Sequence, residues 1–243
     1  MARLILVHGF TQTAASWDAI EYRLGALGHE VMSLDAPGHG AHSDTHLGLW
    51  KSADLLAAEG GTGTWVGYSM GGRLAMHVAL SHPDLVERLV LIGATPGIET
   101  VAGRLERQAG DEALAEGLER DGLEPFLARW LAQPLFATLS DDNAGLDARR
   151  ANTVAGLAAS LRLMGTGAQE SLWPRLKEIA APTMLVVGAL DEKFTEIAQR
   201  MAAEMREAHI ASLNGCGHAC HLEATDHFVA ELDSFVNEPV TPR

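Results

Sequence analysis

The 243-residue sequence predicts an α/β fold, a mostly parallel sheet with helices on both faces. Three observations carry this. Short runs rich in Leu, Val and Ile alternate with longer helical patterns, which is how doubly covered strands and their crossover helices read. One long stretch, from about Gly97 to Glu170, breaks the alternation and contains no strand-like run. A glycine-rich turn, Gly67-Tyr68-Ser69-Met70-Gly71-Gly72, stands between a strand and a helix.

Along the chain, Leu4–Val7 is the first predicted strand, an apolar run that enters the loop His8-Gly9-Phe10. Ser16–Leu27 has helical spacing, and Glu30–Leu34 is the second strand. A helix is expected over Gly48–Glu59, a strand over Thr64–Gly67, a helix over Met70–Ser81 and a strand over Leu89–Ile92. The Ala-, Leu-, Glu- and Arg-rich stretch that follows is expected to form several short helices. Ligands in open α/β sheets bind beyond the carboxyl ends of the strands, so an insert leaving a strand end should lie over the site as a lid. Strands at Thr183–Val187 and Ile210–Leu213, with helices at Phe194–Glu207 and Ala224–Val236, complete the pattern. The expected organisation is one domain over 1–243, with its core at 1–96 and 171–237 and a lid at about 97–170. The tail Glu238–Arg243 carries two prolines and is expected to fray. No internal repeat is evident.

A hydrophobic share of 47% supplies a full core and excludes disorder. The net charge is −14, from 32 acidic and 18 basic residues, and no basic block occurs. That argues against nucleic acid and anionic membrane as partners. Two cysteines cannot make a disulfide framework, so a reducing compartment, the cytoplasm, is expected. The N-terminal apolar run is only Leu4 to Val7, too short for a signal peptide. No run approaches the roughly 20 apolar residues that span a bilayer. Nothing in the sequence encodes an oligomeric state, and a monomer is the expectation.

Chemistry concentrates at three strand ends. The Gly67–Gly72 turn has the strand-turn-helix context of a G-x-S-x-G nucleophile elbow, which lifts the Ser69 hydroxyl above the sheet. Glycines there remove Cβ atoms that would clash, and the following helix aims its N-terminal N–H groups at a developing oxyanion. The alternative is a glycine-rich turn with an incidental serine. Two further residues weigh against that alternative. Asp191 closes the strand beginning at Thr183, and His218 follows the last strand in Gly215-Cys216-Gly217-His218. Ser, Asp and His in this order can form a triad in which Asp191 fixes the His218 tautomer and His218 takes the Ser69 proton. The loop after the first strand can give a second oxyanion donor, so the backbone N–H groups of Phe10 and Met70 are assigned to that role. His8 and His39 are read as structural loop histidines.

The string Cys216-x-His218-x-Cys220-His221 invites a metal reading, since thiolate and imidazole bind zinc. Alternating residues on one short loop do not readily converge on one ion, and no metal and no cofactor is expected.

With those residues in place, nearly the whole chain resembles the α/β-hydrolase superfamily. The resemblance implies that the chain begins almost at that family's third strand and that the lid follows its sixth. A closer resemblance rests on Val66-Gly67-Tyr68-Ser69-Met70-Gly71-Gly72-Arg73, Leu105-Glu106-Arg107-Gln108 and Trp130-Leu131-Ala132-Gln133-Pro134-Leu135-Phe136. Arg150-Ala151-Asn152 and Asp191-Glu192-Lys193-Phe194 add to it. These segments look like the 2-succinyl-6-hydroxy-2,4-cyclohexadiene-1-carboxylate (SHCHC) synthases of menaquinone biosynthesis. The lid matches weigh most, because lids diverge fastest in this fold.

That resemblance implies an elimination. The serine, activated by histidine, abstracts a proton from a multiply carboxylated ring, and pyruvate leaves. It further implies that Arg73, Arg107, Arg150 and Lys193 clamp substrate carboxylates while Tyr68 and Trp130 line the pocket. The lid holds seven arginines and no lysine, most of them read as solvated charges. A small anionic substrate is thus the expected partner, since a chain at −14 needs local arginines to hold an anion. The competing readings are a serine hydrolase, either a carboxylesterase or a C–C bond hydrolase, and a non-catalytic receptor. An intact Ser69, Asp191 and His218 speak against the receptor.

Overall fold

In the computed structural model, which describes residues 1–239, all six expected strands are present and pair in parallel. The first half runs β1 (Arg3–Val7), α1 (Asp18–Ala26), β2 (Glu30–Leu34), α2 (Leu49–Gly60), β3 (Gly63–Tyr68), α3 (Met70–Ser81) and β4 (Val86–Ile92). An insertion carries α4 (Val101–Asp121), α5 (Leu123–Leu131), α6 (Leu146–Arg150) and α7 (Val154–Met164). The chain then returns through β5 (Thr183–Gly188), α8 (Glu192–Glu204), β6 (Ala208–Leu213), α9 (Cys220–Glu223) and α10 (Thr225–Asn237).

Strand order is β2-β1-β3-β4-β5-β6. From β1 the chain steps outward to β2, then crosses back to β3 on the other side and continues outward. Loops leaving β1 and β3 therefore diverge, which opens a crevice at their carboxyl ends. Alternation along the strands builds two cores. Ile5, Val7, Trp65, Leu89, Leu91 and Leu185 pack with α2, α3 and α8 on one face. Leu4, Leu6, Val66, Val90, Ile92 and Met184 pack with α1 and α10 on the other.

Several boundaries differ from the sequence reading. β4 starts at Val86 and β6 at Ala208: Arg88 and His209 interrupt the apolar runs yet pair with Thr64 and Met184, and Glu87 is the extra residue at a shift of register against β3. α8 begins at Glu192, where Asp191 Oδ1 accepts from the Phe194 N–H at 3.2 Å as an N-cap. Of the tail expected to fray, Val240–Arg243 lie outside the described residues, whereas the Glu238 carbonyl accepts from the Arg88 side chain.

The insertion is not a set of short helices only, since α4 has 21 residues. It has an apolar cluster of its own, with Ala115, Leu118, Phe126, Leu127, Leu157 and Leu161 at its centre. Thr100 caps α4 and Thr153 caps α7, each hydroxyl accepting from the N–H three residues on. The two ends of the insertion meet. Leu172 N–H donates to the Pro96 carbonyl at 2.8 Å, and Trp173 Nε1–H donates to the Gly97 carbonyl at 3.0 Å. Among the described residues, no helix is long and apolar enough to cross a membrane.

Candidate active site

Ser69 sits between β3 and α3 with φ 50° and ψ −104°, a conformation that costs a non-glycine residue energy. Its surroundings enforce the turn. The Ser69 N–H donates to the Ile92 carbonyl at 2.8 Å. A Cβ on Gly67 would run into the Gly71 backbone, and one on Gly71 into the Val7 and His8 carbonyls. These glycines let β3, α3 and β1 approach closely enough to expose the hydroxyl.

His218 Nδ1 lies 2.8 Å from Asp191 Oδ2, and Nε2 lies 3.3 Å from Ser69 Oγ. A carboxylate can only accept, so the proton belongs on Nδ1, and Nε2 is free to take the serine proton. Both partners of the pair are buried, the His218 side chain at 2% and Asp191 at 8% exposure. Gly93, at φ 53°, leaves the room beside the imidazole that a Cβ would take. Ser69, Asp191 and His218 are thus brought together as expected.

Phe10 and Met70 line the same cavity as Ser69 and His218. Among the described residues, neither the Phe10 N–H nor the Met70 N–H has a protein acceptor. The Gly9 carbonyl accepts from Gln12 N–H at 3.1 Å and from His8 Nδ1 at 2.8 Å. With that side of the planar Gly9–Phe10 peptide occupied, the Phe10 N–H projects the opposite way. His8 Nε2 accepts from Ala36 N–H at 3.0 Å, and His39 Nε2 accepts from Thr11 N–H at 3.4 Å. Burial pushes these two histidines down to pKa values of about 4 and about 3, so both stay neutral acceptors. They hold the loop that carries Phe10.

Between this face and the insertion lies a cavity of about 140 Å³, lined by Tyr68 and Trp130 and by Arg73, Arg107, Arg149 and Lys193. Arg73 is anchored by Nη1, which donates to the Met164 carbonyl at 2.6 Å and Gln169 Oε1 at 3.2 Å. Burial, with Arg107 adding to it, lowers the Arg73 pKa to about 10, which leaves it a cation at neutral pH. Arg107 pairs with Asp111 at 2.7 Å. The Lys193 ammonium is 5.5 Å from the centre of the Phe194 ring.

One expected residue is elsewhere. Arg150 is 44% exposed and pairs with Glu124 at 2.8 Å and Asp147 at 2.7 Å. Its neighbour Arg149 lines the cavity instead. Consecutive helical residues differ by about 100° in direction, so a turn that aims Arg149 inward sends Arg150 to solvent. Arg149 donates from Nε to the Ala144 carbonyl at 2.7 Å and from Nη1 to Thr11 Oγ1. Burial brings its pKa down to about 10. Asp111, which lines the cavity, and Asn152, which donates to the Thr11 carbonyl, are further buried polar residues to which the sequence alone assigns no role. The spacing of Arg107 and Asp111 signals an ion pair but not its burial.

Among the described residues, no group of three His, Cys, Asp or Glu side chains is arranged to hold a metal ion. Cys216 and Cys220 are buried, and burial raises both thiol pKa values. His221 packs its ring against Tyr68 at 4.3 Å and Trp17 at 4.9 Å.

Residues 4–232 match the family described as "Alpha/beta hydrolase family". A Bacillus subtilis (strain 168) protein named as a candidate 2-succinyl-6-hydroxy-2,4-cyclohexadiene-1-carboxylate synthase is 36% identical, over 96% of this chain and 89% of its own. The synthase of that name from Serratia proteamaculans (strain 568) is 34% identical, over 97% of this chain and 93% of its own. Among solved structures, that of MenH from S. aureus superposes with a TM-score of 0.88 at 31% identity, covering 96% of this chain and 92% of that one.

Proposed function

The chain is an enzyme of the alpha/beta hydrolase family, and from that premise we propose that it is an SHCHC synthase, eliminating pyruvate from a carboxylated cyclohexene in menaquinone biosynthesis. The observation that carries this reading is the charge of the cavity. In a protein of net charge −14, three arginines and a lysine converge beside the triad, with Asp111 as the carboxylate set among them. The product's name specifies a ring carboxylate and a succinyl carboxylate, and the departing pyruvate brings a third. Arg73, Arg107, Arg149 and Lys193 match such a substrate, with Arg149 in the role expected of Arg150. A small anion is its partner, and Tyr68 and Trp130 flank it.

The residues divide the work. His218 Nε2 takes the proton of Ser69 Oγ, and the serine oxygen takes a proton from the ring carbon that bears the succinyl group. The C–H electron pair enters the ring's double-bond system. The bond from the ring to the oxygen of the departing group breaks and its own electron pair leaves on that oxygen, which takes the proton held by His218, and the enol so released becomes pyruvate. Asp191 stabilises the imidazolium that forms. The succinyl ketone adjoins the carbon losing its proton, so its oxygen gains negative charge and accepts hydrogen bonds donated by the Phe10 and Met70 N–H groups.

A serine hydrolase is the second reading, favoured by the same two amide N–H groups, because an acyl-enzyme route requires that arrangement. Steady-state release of pyruvate from the synthase's substrate, measured beside hydrolysis of short p-nitrophenyl esters, separates the two. Pyruvate release is expected. Ester hydrolysis without pyruvate release would make the protein a hydrolase.

A further inference from the structure

We propose that Asn152 is a positioning residue through which the docked insertion sets the oxyanion loop at Phe10; this rests on the assignment of Phe10 and Met70 as oxyanion donors. Asn152 lies between α6 and α7 and is 5% exposed. Its Nδ2 donates to the Thr11 carbonyl at 2.7 Å and to the Arg149 carbonyl at 3.0 Å. Its Oδ1 accepts from the Gly40 N–H at 3.1 Å. One side chain thus ties the insertion to the loops that follow β1 and β2.

Thr11 is the residue that needs tying. It is β-branched yet sits at φ 68°, a left-handed conformation that such residues rarely adopt unless their neighbours impose it. Each of its polar atoms is held. The core supplies His39 to its N–H, while the insertion supplies Asn152 to its carbonyl and Arg149 to its hydroxyl. Thr11 directly follows Phe10. If the two bonds from the insertion are lost, the Thr11 backbone can relax toward negative φ and turn the adjoining peptides with it. The Phe10 N–H then leaves the direction that the Gly9 carbonyl bonds impose. Only an amide suits the position, because it donates to two carbonyls while accepting from Gly40. A carboxylate there would face both carbonyls with negative charge.

The consequence is a gate on chemistry. The oxyanion site is complete when the segment bearing Asn152 is seated, which is also when the cavity is covered. Proton abstraction is then confined to the closed state.

The test uses diethyl p-nitrophenyl phosphate, a small neutral phosphotriester whose phosphoryl oxygen occupies the oxyanion site and which needs no carboxylate clamp. Ser69 Oγ forms the bond to phosphorus, p-nitrophenolate leaves, and the serine proton passes to His218. Wild-type protein should release one equivalent of p-nitrophenolate. Asn152→Ala and Asn152→Asp should react about 10- to 100-fold more slowly, a partial version of the loss seen when an oxyanion donor is removed. In pyruvate release, kcat should fall in the same proportion with KM within about threefold of wild type. If Asn152→Ala fails to fold, as judged by circular dichroism, the isosteric Asn152→Asp carries the result. Wild-type labelling rates in the folded variants, or a rise in KM alone, would overturn the proposal. Absence of labelling in the wild type would be a different failure, sinking the triad and oxyanion assignments and this proposal with them.

Discussion

Arg107 and Asp111 stand one helical turn apart on α4 in a lopsided ion pair, the arginine side chain 43% exposed and the aspartate 2%. The carboxylate also accepts from the Gly167 N–H at 3.2 Å, so it holds both an arginine at the cavity wall and the segment that follows α7. Removing one member of a pair costs most where the other is left buried and charged. Arg107→Ala should therefore destabilise the protein by about 3 kcal/mol or more, and Asp111→Asn by about 1 to 3 kcal/mol. Urea denaturation checks the order. Equal losses would mean that Asp111 finds other compensation.

The triad should behave as a unit. Ser69→Ala, His218→Ala and Asp191→Asn are each expected to lower kcat for pyruvate release by about 10³-fold or more. The Ser69→Ala/His218→Ala double variant should lose little beyond either single one. Additive losses would show that Ser69 and His218 serve separate steps.

Adjacent arginines should differ sharply. Arg73→Ala and Arg149→Ala are expected to cost about 2 to 4 kcal/mol in kcat/KM, since each leaves a substrate carboxylate unpaired. Arg73→Lys should restore part of that loss, charge without fork geometry. Arg73→Ala should leave phosphotriester labelling of Ser69 unchanged, whereas Arg149→Ala should slow it because Arg149 also holds Thr11. Arg150→Ala, on the solvent side of α6, should be nearly silent in both assays. A loss at Arg150 as large as at Arg149 would refute the division between them.

Acid should weaken the fold through its buried histidines. Burial lowers His8 and His77 to about 4, and His39 and His221 to about 3, from an ordinary value of 6.5. As pH falls below 6.5 the unfolded chain takes up protons that the folded chain refuses. The stability these groups contribute is therefore full above 6.5 and lost as pH drops toward 4 and 3, by at most about 1.4 kcal/mol per pH unit for each. His221 isolates the effect, because neither of its ring nitrogens has a hydrogen-bond partner among the described residues. His221→Phe should be neutral or stabilising near pH 7 and should flatten the decline between about pH 6.5 and 4.5. Urea midpoints across that range decide it, and an unchanged slope would count against the assignment.

The sheet and α3 were legible because each carries a local signal: apolar runs of strand length, and glycines at positions where backbones nearly touch. The triad was legible for the same reason, since Ser69, Asp191 and His218 each stand at a strand end. The insertion was harder to read. The residues α4 buries include Asp111, Ala115, Gly117 and Leu118, which form no apolar stripe, so its 21-residue length was hidden. Which of Arg149 and Arg150 points inward depends on how α6 docks, and no residue type near them encodes that angle. Asn152 stood within a matched string, yet its side chain bonds only to distant or nearby backbone atoms that leave no trace in side-chain chemistry.

The bonds joining Pro96 to Leu172 and Gly97 to Trp173 bring the start and finish of the insertion to nearly one point. To the sheet, more than seventy residues of insertion therefore present themselves as a turn, roughly as a short loop would. Such a segment is a cassette, replaceable without disturbing strand register on either side. Its contents are also distinct. Ser69, Asp191, His218, Phe10 and Met70 belong to the framework, while Arg107, Trp130, Arg149 and Asn152 travel with the cassette. Tyr68, Arg73 and Lys193 stay with the framework, so a change of cassette would alter part of the cavity wall and leave the rest, with Asn152 as the fitting that a newly acquired cassette would have to reproduce.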